Sequence, residues 1–346
     1  MMHFRLCYNK WLFTPNIVQH SLHGTPCRIL NMTIAFVSGP TGCIGAATVA
    51  YLLDNGADKV VGFCRSGDLS RIDAKYHERL EIITGDITDR QAVVAAVTQA
   101  QPNVIIHLAA FQTPACEATP LLGMDVNVGG TANMFYAARQ LGSTLQRFVF
   151  ASSSAVYGPR DMYDGPVVKT PMPYQPANIY GFWKVAGEGM AIAFHKETSI
   201  STVSVRLSTT YGPGRDQGLT SAPTTALKKA AAGLPFEIPY RGREHYHFVA
   251  DVGAGFAQAA LEPLDGYAVI NLRGISVDEG EFIRLICEVA PQVGITSDVN
   301  IRYAADAPVM PFVCDLDDEL TLELFPNMPL TSLQDGIRQS LQAFVD

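Results

Sequence analysis

The stretch that most constrains the fold begins at Met32 and reads MTIAFVSGPTGCIG. Its first part, Thr33 to Val37, has high β propensity, and the segment after it, Ala46 to Leu53, is small and apolar like a buried helix. Between them three glycines recur at three-residue spacing: Gly39, Gly42 and Gly45. Such a turn lets the backbone approach a ligand, and the first N–H groups of the helix point at its charge. The stretch predicts a pyrophosphate site, although the same spacing also occurs in ordinary turns.

Strand and helix patterns alternate from this turn to residue 207. Short β-branched or aromatic runs predict strands at Lys59–Phe63, Leu80–Ile83, Val104–Leu108, Arg147–Ala151 and Thr202–Leu207. Helical patterns lie between them at Arg90–Ala100, about 125–141 and about 179–197, and a loop containing Pro114 and Pro120 precedes the second of these. This alternation predicts βαβ crossovers, and therefore an α/β fold with a Rossmann-type, doubly wound parallel sheet.

Beyond Tyr211 the alternation loosens. We expect helices at Pro223–Ala232, Phe248–Leu261 (opened by Asp251), Val277–Val289 and the C-terminal end (capped by Thr331 or Ser332), and a strand at Gly266–Leu272. We therefore expect a small C-terminal lobe made by residues 208–246 and 270–346. Residues of about 247–269 are expected to rejoin the first domain, which spans 32–207.

Composition limits the classes of protein that fit. The chain has 346 residues, enough for one large α/β domain and a small lobe, and its net charge of -8 without a basic stripe argues against nucleic acid. Seven cysteines without a C-x-x-C pair or metal-ligand spacing indicate reduced thiols in the cytoplasm and no metal. Cys43 and Cys64 are either reactive or small apolar filler, and we favour filler. No apolar run approaches the roughly 18 residues of a membrane span.

Residues 1–31 differ from the rest of the chain. They contain Arg5, Lys10 and Arg28 without an acidic residue, but they lack the clear apolar segment of a targeting peptide. A targeting peptide and a disordered extension outside the fold are both open. We favour the extension, with the fold beginning at Met32.

A tyrosine and a lysine lie near the start of the helix predicted at about 179–197, in the sequence Tyr180-Gly-Phe-Trp-Lys184. The i, i+4 spacing places the phenol and the ammonium group on one helix face. A neighbouring ammonium favours tyrosinate, so we expect a phenol pKa below its usual value of roughly 10 and a usable general base. The serines at 152–154 supply a hydroxyl for the same substrate oxygen. Taken alone, such a pair is more often an inert surface pair; after a glycine turn and a serine-tipped strand it predicts catalysis.

Seven motifs now occur in one order: GPTGCIG at 39–45, GDITD at 85–89, HLAA at 107–110, NVGGT at 127–131, SSSAVYG at 152–158, YGFWK at 180–184 and RLSTTYGPG at 206–214. With these motifs the chain resembles the extended short-chain dehydrogenases/reductases, in their NAD(P)-dependent epimerase/dehydratase branch. The resemblance covers roughly residues 32 to 346. It implies an NAD(P)-binding Rossmann domain at 32–207 (with about 247–269), and the small lobe as the binding site for substrate.

The resemblance also implies roles for individual residues. Tyr180 would be the catalytic acid/base, Lys184 would bind the nicotinamide ribose and tune Tyr180, and Ser153, with Ser154 as the alternative, would hold the substrate oxygen. Asn127 would tie strands together beside the site. The residues expected to contact the cofactor are Gly39, Thr41, Gly42, Cys43, Ile44, Gly45, Arg65, Ser66, Asp86, Ile87, Leu108, Ala109, Ala110, Asn127, Ala151, Tyr180, Lys184 and Leu207.

The residue after the second strand bears on the choice of dinucleotide. NAD-preferring relatives place an acidic residue there, whereas this chain has Cys64 followed by Arg65 and Ser66. An arginine and a serine would bind a 2′-phosphate that a carboxylate would repel. We therefore favour NADP over NAD; NAD stays open if Arg65 only stacks on adenine or points to solvent.

Departures from the family pattern bear on the substrate. Ser154-Ala155 stands where dehydratases have an Asp-Glu pair, so elimination of water is not expected. Nucleotide-sugar enzymes have an arginine before the last conserved aspartate, but Glu244 begins that segment here, with Arg241 and Arg243 close by. Arg215 is a candidate ligand for a substrate carboxylate or phosphate; the alternative is a surface arginine in an ion pair.

His245 and His247 lie two residues apart and resemble a pair of metal ligands. Because no third ligand lies nearby in the sequence, we interpret them as histidines that are satisfied by hydrogen bonds or exposed.

We therefore expect an enzyme that transfers hydride between nicotinamide and a hydroxyl or carbonyl carbon of a sugar or sugar-derived substrate. An NADP-dependent dehydrogenase or reductase of a small polyol, sugar acid or hydroxy compound is the first alternative, and a non-catalytic dinucleotide sensor the second. Epimerase and dehydrogenase stay open. The resemblance also implies a homodimer, with the helices of Asn127 and Tyr180 at the interface.

Overall fold

The computed structural model describes residues 32–309 and 313–345, so the expectation for residues 1–31 lies outside the described residues. The strands in chain order are β1 Ile34–Ser38, β2 Lys59–Cys64, β3 Leu80–Thr84, β4 Val104–His107, β5 Arg147–Ala151, β6 Ser201–Arg206, β7 Thr209–Tyr211, β8 Phe236–Ile238, β9 Glu244–Phe248, β10 Tyr267–Asn271, β11 Ile275–Val277 and β12 Ile301–Tyr303. The sequence predicts β1 to β6 and β10 to within one or two residues of these bounds.

The helices in chain order are α1 Cys43–Asp54, α2 Arg90–Ala100, α3 Thr113–Ala118, α4 Pro120–Met124, α5 Gly130–Arg139, α6 Ile179–Thr198, α7 Ala222–Ala231, α8 Val249–Leu261, α9 Glu281–Val289, α10 Glu319–Leu324 and α11 Leu333–Val345. A single π-helical turn, Asp125–Gly129, joins α4 to α5. Shorter 3-10 turns lie at Ala74–Arg79, Gly142–Thr144, Ser154–Val156, Arg160–Met162, Leu219–Ser221 and Ala290–Val293.

Seven parallel strands form the central sheet, in the order β3-β2-β1-β4-β5-β6-β10. This confirms the predicted Rossmann-type fold. The chain passes from β3 back across the sheet to β4, which pairs with β1. The strand order therefore changes direction between the neighbouring strands β1 and β4. At such a point, α/β proteins bind ligands in the crevice outside the carboxyl ends of the strands.

Helices cover both faces of the sheet, which is why its strands read as nearly continuous apolar runs. On one face α8 contributes Val252 and Phe256 to a core with Val49 and Leu52 of α1. On the other face, residues of α2, α5 and α6 pack around Phe148 of β5. The stretch after β9 therefore returns to the first face of the sheet before the chain forms β10.

The lobe has its own core around a second sheet, β11-β9-β7, covered by α7, α9 and α11. The chain enters it through β7. The predicted lobe segment 270–346 includes residues that pack on the central sheet instead: Ile270 belongs to β10, and Phe325 and Met328 join the core of the first domain. We therefore propose that the lobe's second segment begins near β11 and omits the stretch around α10.

Several local predictions were wrong. The predicted loop around Pro114 and Pro120 forms α3 and α4, because proline fits the first positions of a helix and each residue stands there. The helix predicted from Val277 begins at Glu281, since Val277 pairs with β9. Asp251 does not cap α8; its carboxylate accepts from the Thr331 N–H at 2.6 Å. This leaves Ser332 to cap the C-terminal helix, where its Oγ accepts from the Asp335 N–H at 3.1 Å.

Candidate active site

The glycine turn lies between β1 and α1, at the point where the strand order reverses. Gly39 adopts φ +75°, which glycine reaches without strain, and a Cβ on Gly45 would collide with the Gly39 carbonyl oxygen. Gly42 is the exposed N-cap of α1; no side chain in the described part of the chain caps this helix, and its first turn has no acidic residue. Its first N–H groups are therefore available to an anion, so the turn fits the pyrophosphate of a dinucleotide.

A buried polar chain holds the end of β4 against this turn. The Ser38 hydroxyl lies 2.7 Å from His107 Nδ1 and accepts from the N–H groups of Leu108 and Ala109, each at 3.1 Å. Thr131 Oγ1 lies 3.1 Å from the other ring nitrogen. Burial lowers the pKa of His107 to about 3, so the ring is neutral. The predicted cofactor residues Leu108 and Ala109 are thus fixed beside Gly39.

Asn127 supports the loop that follows β4. Its Oδ1 accepts from the Phe111 N–H at 2.7 Å and its Nδ2 donates to the Phe111 carbonyl at 3.0 Å. Both ends of the amide are therefore used within the protein, on one residue of the loop after β4, and the expected role of tying strands together stays a prediction. A direct contact between Asn127 and the cofactor stays a prediction.

The structure brings Ser153, Tyr180 and Lys184 together. Ser153 follows β5, its hydroxyl accepts from the Ala155 N–H at 3.1 Å, and it lies close enough to the Tyr180 phenol to lower the pKa of that phenol. Lys184, one turn along α6, places its Nζ 5.5 Å from the centre of the Tyr180 ring. Ser154, the alternative, is buried and its N–H donates to the Leu207 carbonyl at 2.9 Å. Of the two serines, Ser153 is the one whose hydroxyl acts on the Tyr180 phenol; the choice between them as the holder of the substrate oxygen stays a prediction.

The expected lowering of the Tyr180 pKa is not what the structure shows. Burial dominates and raises the pKa of Tyr180 to about 12, while the hydrogen bond from Ser153 and the charge of Arg215 act in the other direction. Burial also lowers the pKa of Lys184 to about 8, and its Nζ donates to the Ala151 carbonyl at 2.7 Å. The phenol is therefore protonated at neutral pH, which suits an acid that donates a proton to a substrate oxygen.

The sequence analysis missed a buried ion pair beneath these residues. Glu188 of α6 accepts from Arg206 Nε at 2.8 Å and from its Nη2 at 2.7 Å, and neither side chain is exposed. The Ser152 hydroxyl also donates to Glu188, and the Tyr174 hydroxyl does so at 2.7 Å. The signal for Glu188 was present, because it follows Lys184 by four residues and therefore shares the face of the helix that carries the predicted catalytic pair.

At the end of β2, Arg65 and Ser66 are both exposed. The Asp86 carboxylate accepts from the N–H and the hydroxyl of Thr88, both at 2.8 Å, and these bonds, helped by the charge of Arg65, hold its pKa below the usual range. Ile87 is buried against Gly130. Arg65 and Asp86 thus face the same end of the cleft.

The remaining residues predicted to contact the cofactor lie at different depths around the cleft. Thr41, Ile44, Ala110 and Leu207 are half-buried around the cleft, and Ala151 ends β5 beneath Lys184. Cys43 is half-buried under Gly214, and burial raises the pKa of its thiol to about 11, in line with the interpretation as filler.

Arg215 lies in segment 212–218, after β7, and its charge acts on both Tyr180 and Cys43. Among the described residues it forms no ion pair, so the alternative of an ion-paired surface arginine is not observed.

His245 and His247 are engaged inside the lobe. His245 Nδ1 lies 2.9 Å from Ser276 Oγ, and His247 Nε2 accepts from the Ser208 N–H at 2.9 Å. In residues 32–309 and 313–345 there is no group of three His, Cys, Asp or Glu side chains arranged to hold a metal ion. Across the same residues, every helix is too short or too polar to cross a bilayer.

A sequence model described as the NAD dependent epimerase/dehydratase family matches residues 35–272, which is more than half of the chain. The chain belongs to this family. Membership confirms the resemblance and places the protein among enzymes that include epimerases, dehydratases and dehydrogenases.

Proteins that are named for different substrates resemble the chain. A dTDP-glucose 4,6-dehydratase from Neisseria gonorrhoeae is 26% identical over 333 residues, which cover 90% of this chain and 95% of that protein. A 3-beta-hydroxysteroid dehydrogenase from Mycolicibacterium neoaurum is 31% identical over 199 residues, 55% of this chain, and the match spans only 51% of that protein. The crystal structure of a Thermus thermophilus UDP-glucose 4-epimerase in complex with NAD superimposes with a TM-score of 0.75 at 24% identity, covering 90% of this chain and 99% of that one. The superposition shows the fold, the two sequence likenesses agree with the family assignment, and together they select no single substrate.

The buried pair yields a testable prediction. Glu188→Ala leaves Arg206 charged and uncompensated in the protein interior, which should lower the free energy of unfolding by about 3–5 kcal/mol. Glu197→Ala on the same helix is the matched control, because its ion pair with Arg139 is exposed and should contribute at most about 1 kcal/mol. Urea denaturation measures both. Equal, small losses would show that the pair does not hold the site together.

Proposed function

We propose that the protein catalyses NAD(P)-dependent hydride transfer at a hydroxyl- or carbonyl-bearing carbon of a sugar or sugar-derived substrate. The observation that carries this is the convergence of Ser153, Tyr180 and Lys184 at the carboxyl end of the central sheet, where the glycine turn also lies. Arg215, whose charge acts on Tyr180 and on Cys43 of the turn, connects the two halves of the site. A pure dinucleotide sensor would need no such acid/base set.

When bound, the nicotinamide supplies the hydride acceptor or donor. The remaining work falls to the protein's own side chains. Ser153 holds the substrate oxygen beside Tyr180, and Tyr180 gives or takes the proton at that oxygen. Lys184, in its buried position between Ala151 and the phenol, would bind the ribose hydroxyls of the cofactor and supply positive charge next to Tyr180.

Two outcomes of this chemistry are consistent with the site. If the hydride returns to the same substrate the enzyme is an epimerase, and if it leaves with the cofactor the enzyme is a dehydrogenase or reductase. Elimination of water is not proposed, because Ala155 provides no acid/base group beside Ser154.

We further propose NADP as the preferred cofactor. Arg65 and Ser66 are exposed at the end of β2, the place where a dinucleotide's adenosine ribose lies in this fold. A guanidinium and a hydroxyl there match a 2′-phosphate. The cytoplasmic location stays a prediction.

We also propose a homodimer. Helices α4, α5 and α6 expose large apolar side chains that a monomer would leave in water: Leu121, Leu122, Met124, Tyr136 and Phe182. Large apolar side chains left exposed on one set of helices are typical of an interface, and a two-fold interface would let the same helices meet their own copies.

Removing the phenol hydroxyl tests the chemistry. Tyr180→Phe should lower turnover by at least about a thousandfold, because the substrate oxygen loses its proton donor, while dinucleotide binding stays nearly unchanged. Tyr51→Phe is the matched control, since that tyrosine lies on α1, outside the proposed site and the proposed dimer face, and its hydroxyl accepts from Gln258 Nε2 at 2.8 Å. Steady-state kinetics and equilibrium binding of NADPH give the two readouts. Unchanged turnover in Tyr180→Phe would contradict the assigned role.

The cofactor assignment is tested at Arg65. Arg65→Ala should reduce the preference for NADPH over NADH by about 10- to 100-fold, because a charge-assisted bond to the 2′-phosphate is lost. Arg302→Ala, an exposed arginine paired with Glu237 in the lobe, should leave the preference unchanged. Binding titrations of both dinucleotides measure it. Tightly held NAD released from the denatured wild-type protein would instead contradict the NADP assignment and favour an epimerase.

The oligomeric state is tested on the exposed apolar face. Phe182→Glu should shift the protein from dimer to monomer in size-exclusion chromatography at micromolar concentration, because a charge would be buried at the interface. Leu234→Glu, at an exposed leucine of the lobe, is the matched control and should elute as the wild type does. A wild-type monomer at this concentration would refute the dimer.

A further inference from the structure

We propose that Arg215 binds a carboxylate of the substrate, so that the protein acts on a small hydroxy acid and not on a nucleotide sugar. This inference rests on the proposed hydride-transfer function and specifies its substrate class. It goes beyond the family, whose members act on chemically diverse substrates.

Arg215 is a cation with unfilled bonding capacity beside the reacting groups. Its Nη2 donates to Thr220 Oγ1 at 2.7 Å, whereas its buried Nε has no hydrogen-bond partner among the described residues. A guanidinium carries five N–H donors in a planar fork that matches a carboxylate. Gly214 packs against Cys43 of the glycine turn, and Gly218, close to Arg215 Nη2, packs against Gln112. These contacts place the guanidinium over the cleft, where its charge acts on Tyr180, so an anion bound here would lie in the same cleft as the substrate oxygen at the phenol.

Among the described residues, no carboxylate forms an ion pair with Arg215. The groups whose charges act on it are Cys43, Tyr180 and Tyr240, all neutral at pH 7, and burial lowers the pKa of the guanidinium. The nearest acidic residue in sequence, Asp216, already pairs with Arg71 at 3.2 Å and with Lys228. Burying an arginine without an anion is costly, so the site is completed by an anion that the ligand brings.

The arginine is also held in place before any ligand arrives. The ion pair between Asp216 and Arg71 ties segment 212–218 to the loop after β2. On the opposite side, Gly218 packs against the side chain of Gln112, in the loop after β4. With both flanks of Arg215 anchored to the dinucleotide-binding domain, little ordering remains to be done when the anion binds.

In the described part of the lobe, the arginines around position 244 are already engaged and do not offer the diphosphate of a nucleotide sugar a second cation. Glu244 occupies the position of the arginine expected in nucleotide-sugar enzymes; it is buried and accepts from Thr209 Oγ1 at 3.0 Å. Arg243 is paired with Asp315 at 2.8 Å and with Asp278 at 2.7 Å. Arg241 lies 3.8 Å from Glu279. One available guanidinium therefore matches one carboxylate, not two linked phosphates.

A panel of matched compounds tests the substrate class. The wild-type enzyme is assayed with NADP and NAD against erythronate, threonate and galactonate, against the corresponding polyols erythritol, threitol and galactitol, and against erythrose 4-phosphate and UDP-glucose. We expect turnover of at least one acid with kcat/KM at least tenfold above its polyol. Arg215→Met should raise the KM for that acid by about 10- to 100-fold with kcat changed less, and Arg215→Lys should recover part of the loss.

Controls separate this inference from the proposed function. Arg302→Met should leave the KM for the acid unchanged. Turnover of a polyol, erythrose 4-phosphate or UDP-glucose in preference to the acids, abolished by Tyr180→Phe but unaffected by Arg215→Met, would overturn the carboxylate site while the proposed function stands. Turnover that survives Tyr180→Phe would overturn the proposed function itself.

A binding measurement decides the case in which no compound turns over. Calorimetric titration of the NADP-loaded wild type with L-tartrate and D-tartrate should show saturable binding that Arg215→Met loses and Arg302→Met keeps. Absence of binding to the wild type at millimolar concentration, or binding that Arg215→Met retains, would overturn the inference.

Discussion

The bidentate pair between Arg206 and Glu188 is the interaction on which the site's geometry depends. It joins the end of β6 to the middle of α6 in a region without solvent, where two unpaired charges would cost several kcal/mol each. The surrounding groups fill the remaining bonding positions: Ser152 and Tyr174 donate to Glu188, while Arg206 donates to the Thr170 carbonyl at 2.9 Å. Such a fully satisfied network is rigid, because moving any member leaves a buried charge without its partner. The serine that follows Ser152 and the tyrosine two turns before Glu188 are thereby fixed relative to each other.

On the side of the cleft that carries the glycine turn, the buried polar groups are uncharged. There the hydrogen-bond chain from Ser38 through His107 to Thr131 contains no ion, and burial keeps the histidine neutral. Neutral groups suit a place where the turn N–H groups must remain the strongest source of positive potential for an incoming pyrophosphate. A charged histidine at this point would compete with the turn for the same anion. The buried polar groups on the two sides of the cleft therefore differ in charge. An ion pair lies under α6, whereas the hydrogen-bond chain beside the glycine turn is uncharged.

Much of this arrangement followed from local sequence, and the rest depended on tertiary contacts. The glycine turn, the first six strands and the i, i+4 pair on α6 are local patterns, so they could be predicted to within a residue or two. The pKa of Tyr180 could not, because burial by distant segments outweighs the lysine one turn away. Glu244 and the pairing of Arg243 depend on strands that meet only in the folded lobe. Proline misled the prediction at α3, since the residue that breaks a helix interior also starts one.

The pairing of charged residues in the lobe bears on how proteins of one fold come to act on different substrates. The scaffold that positions Tyr180 is shared with relatives of unlike substrates, so specificity must come from the segments that cover the cleft. In this chain the lobe's acids neutralise its other arginines near the cleft, and a carboxyl at Glu244 removes the cation that a diphosphate would need. Burial raises the pKa of Glu244 to about 7, and its bonds to Thr209 and Tyr246 satisfy it without a ligand. Selectivity for the substrate then follows from the neutralisation of the other arginines. Among the described residues near the phenol, Arg215 is the guanidinium without a paired carboxylate.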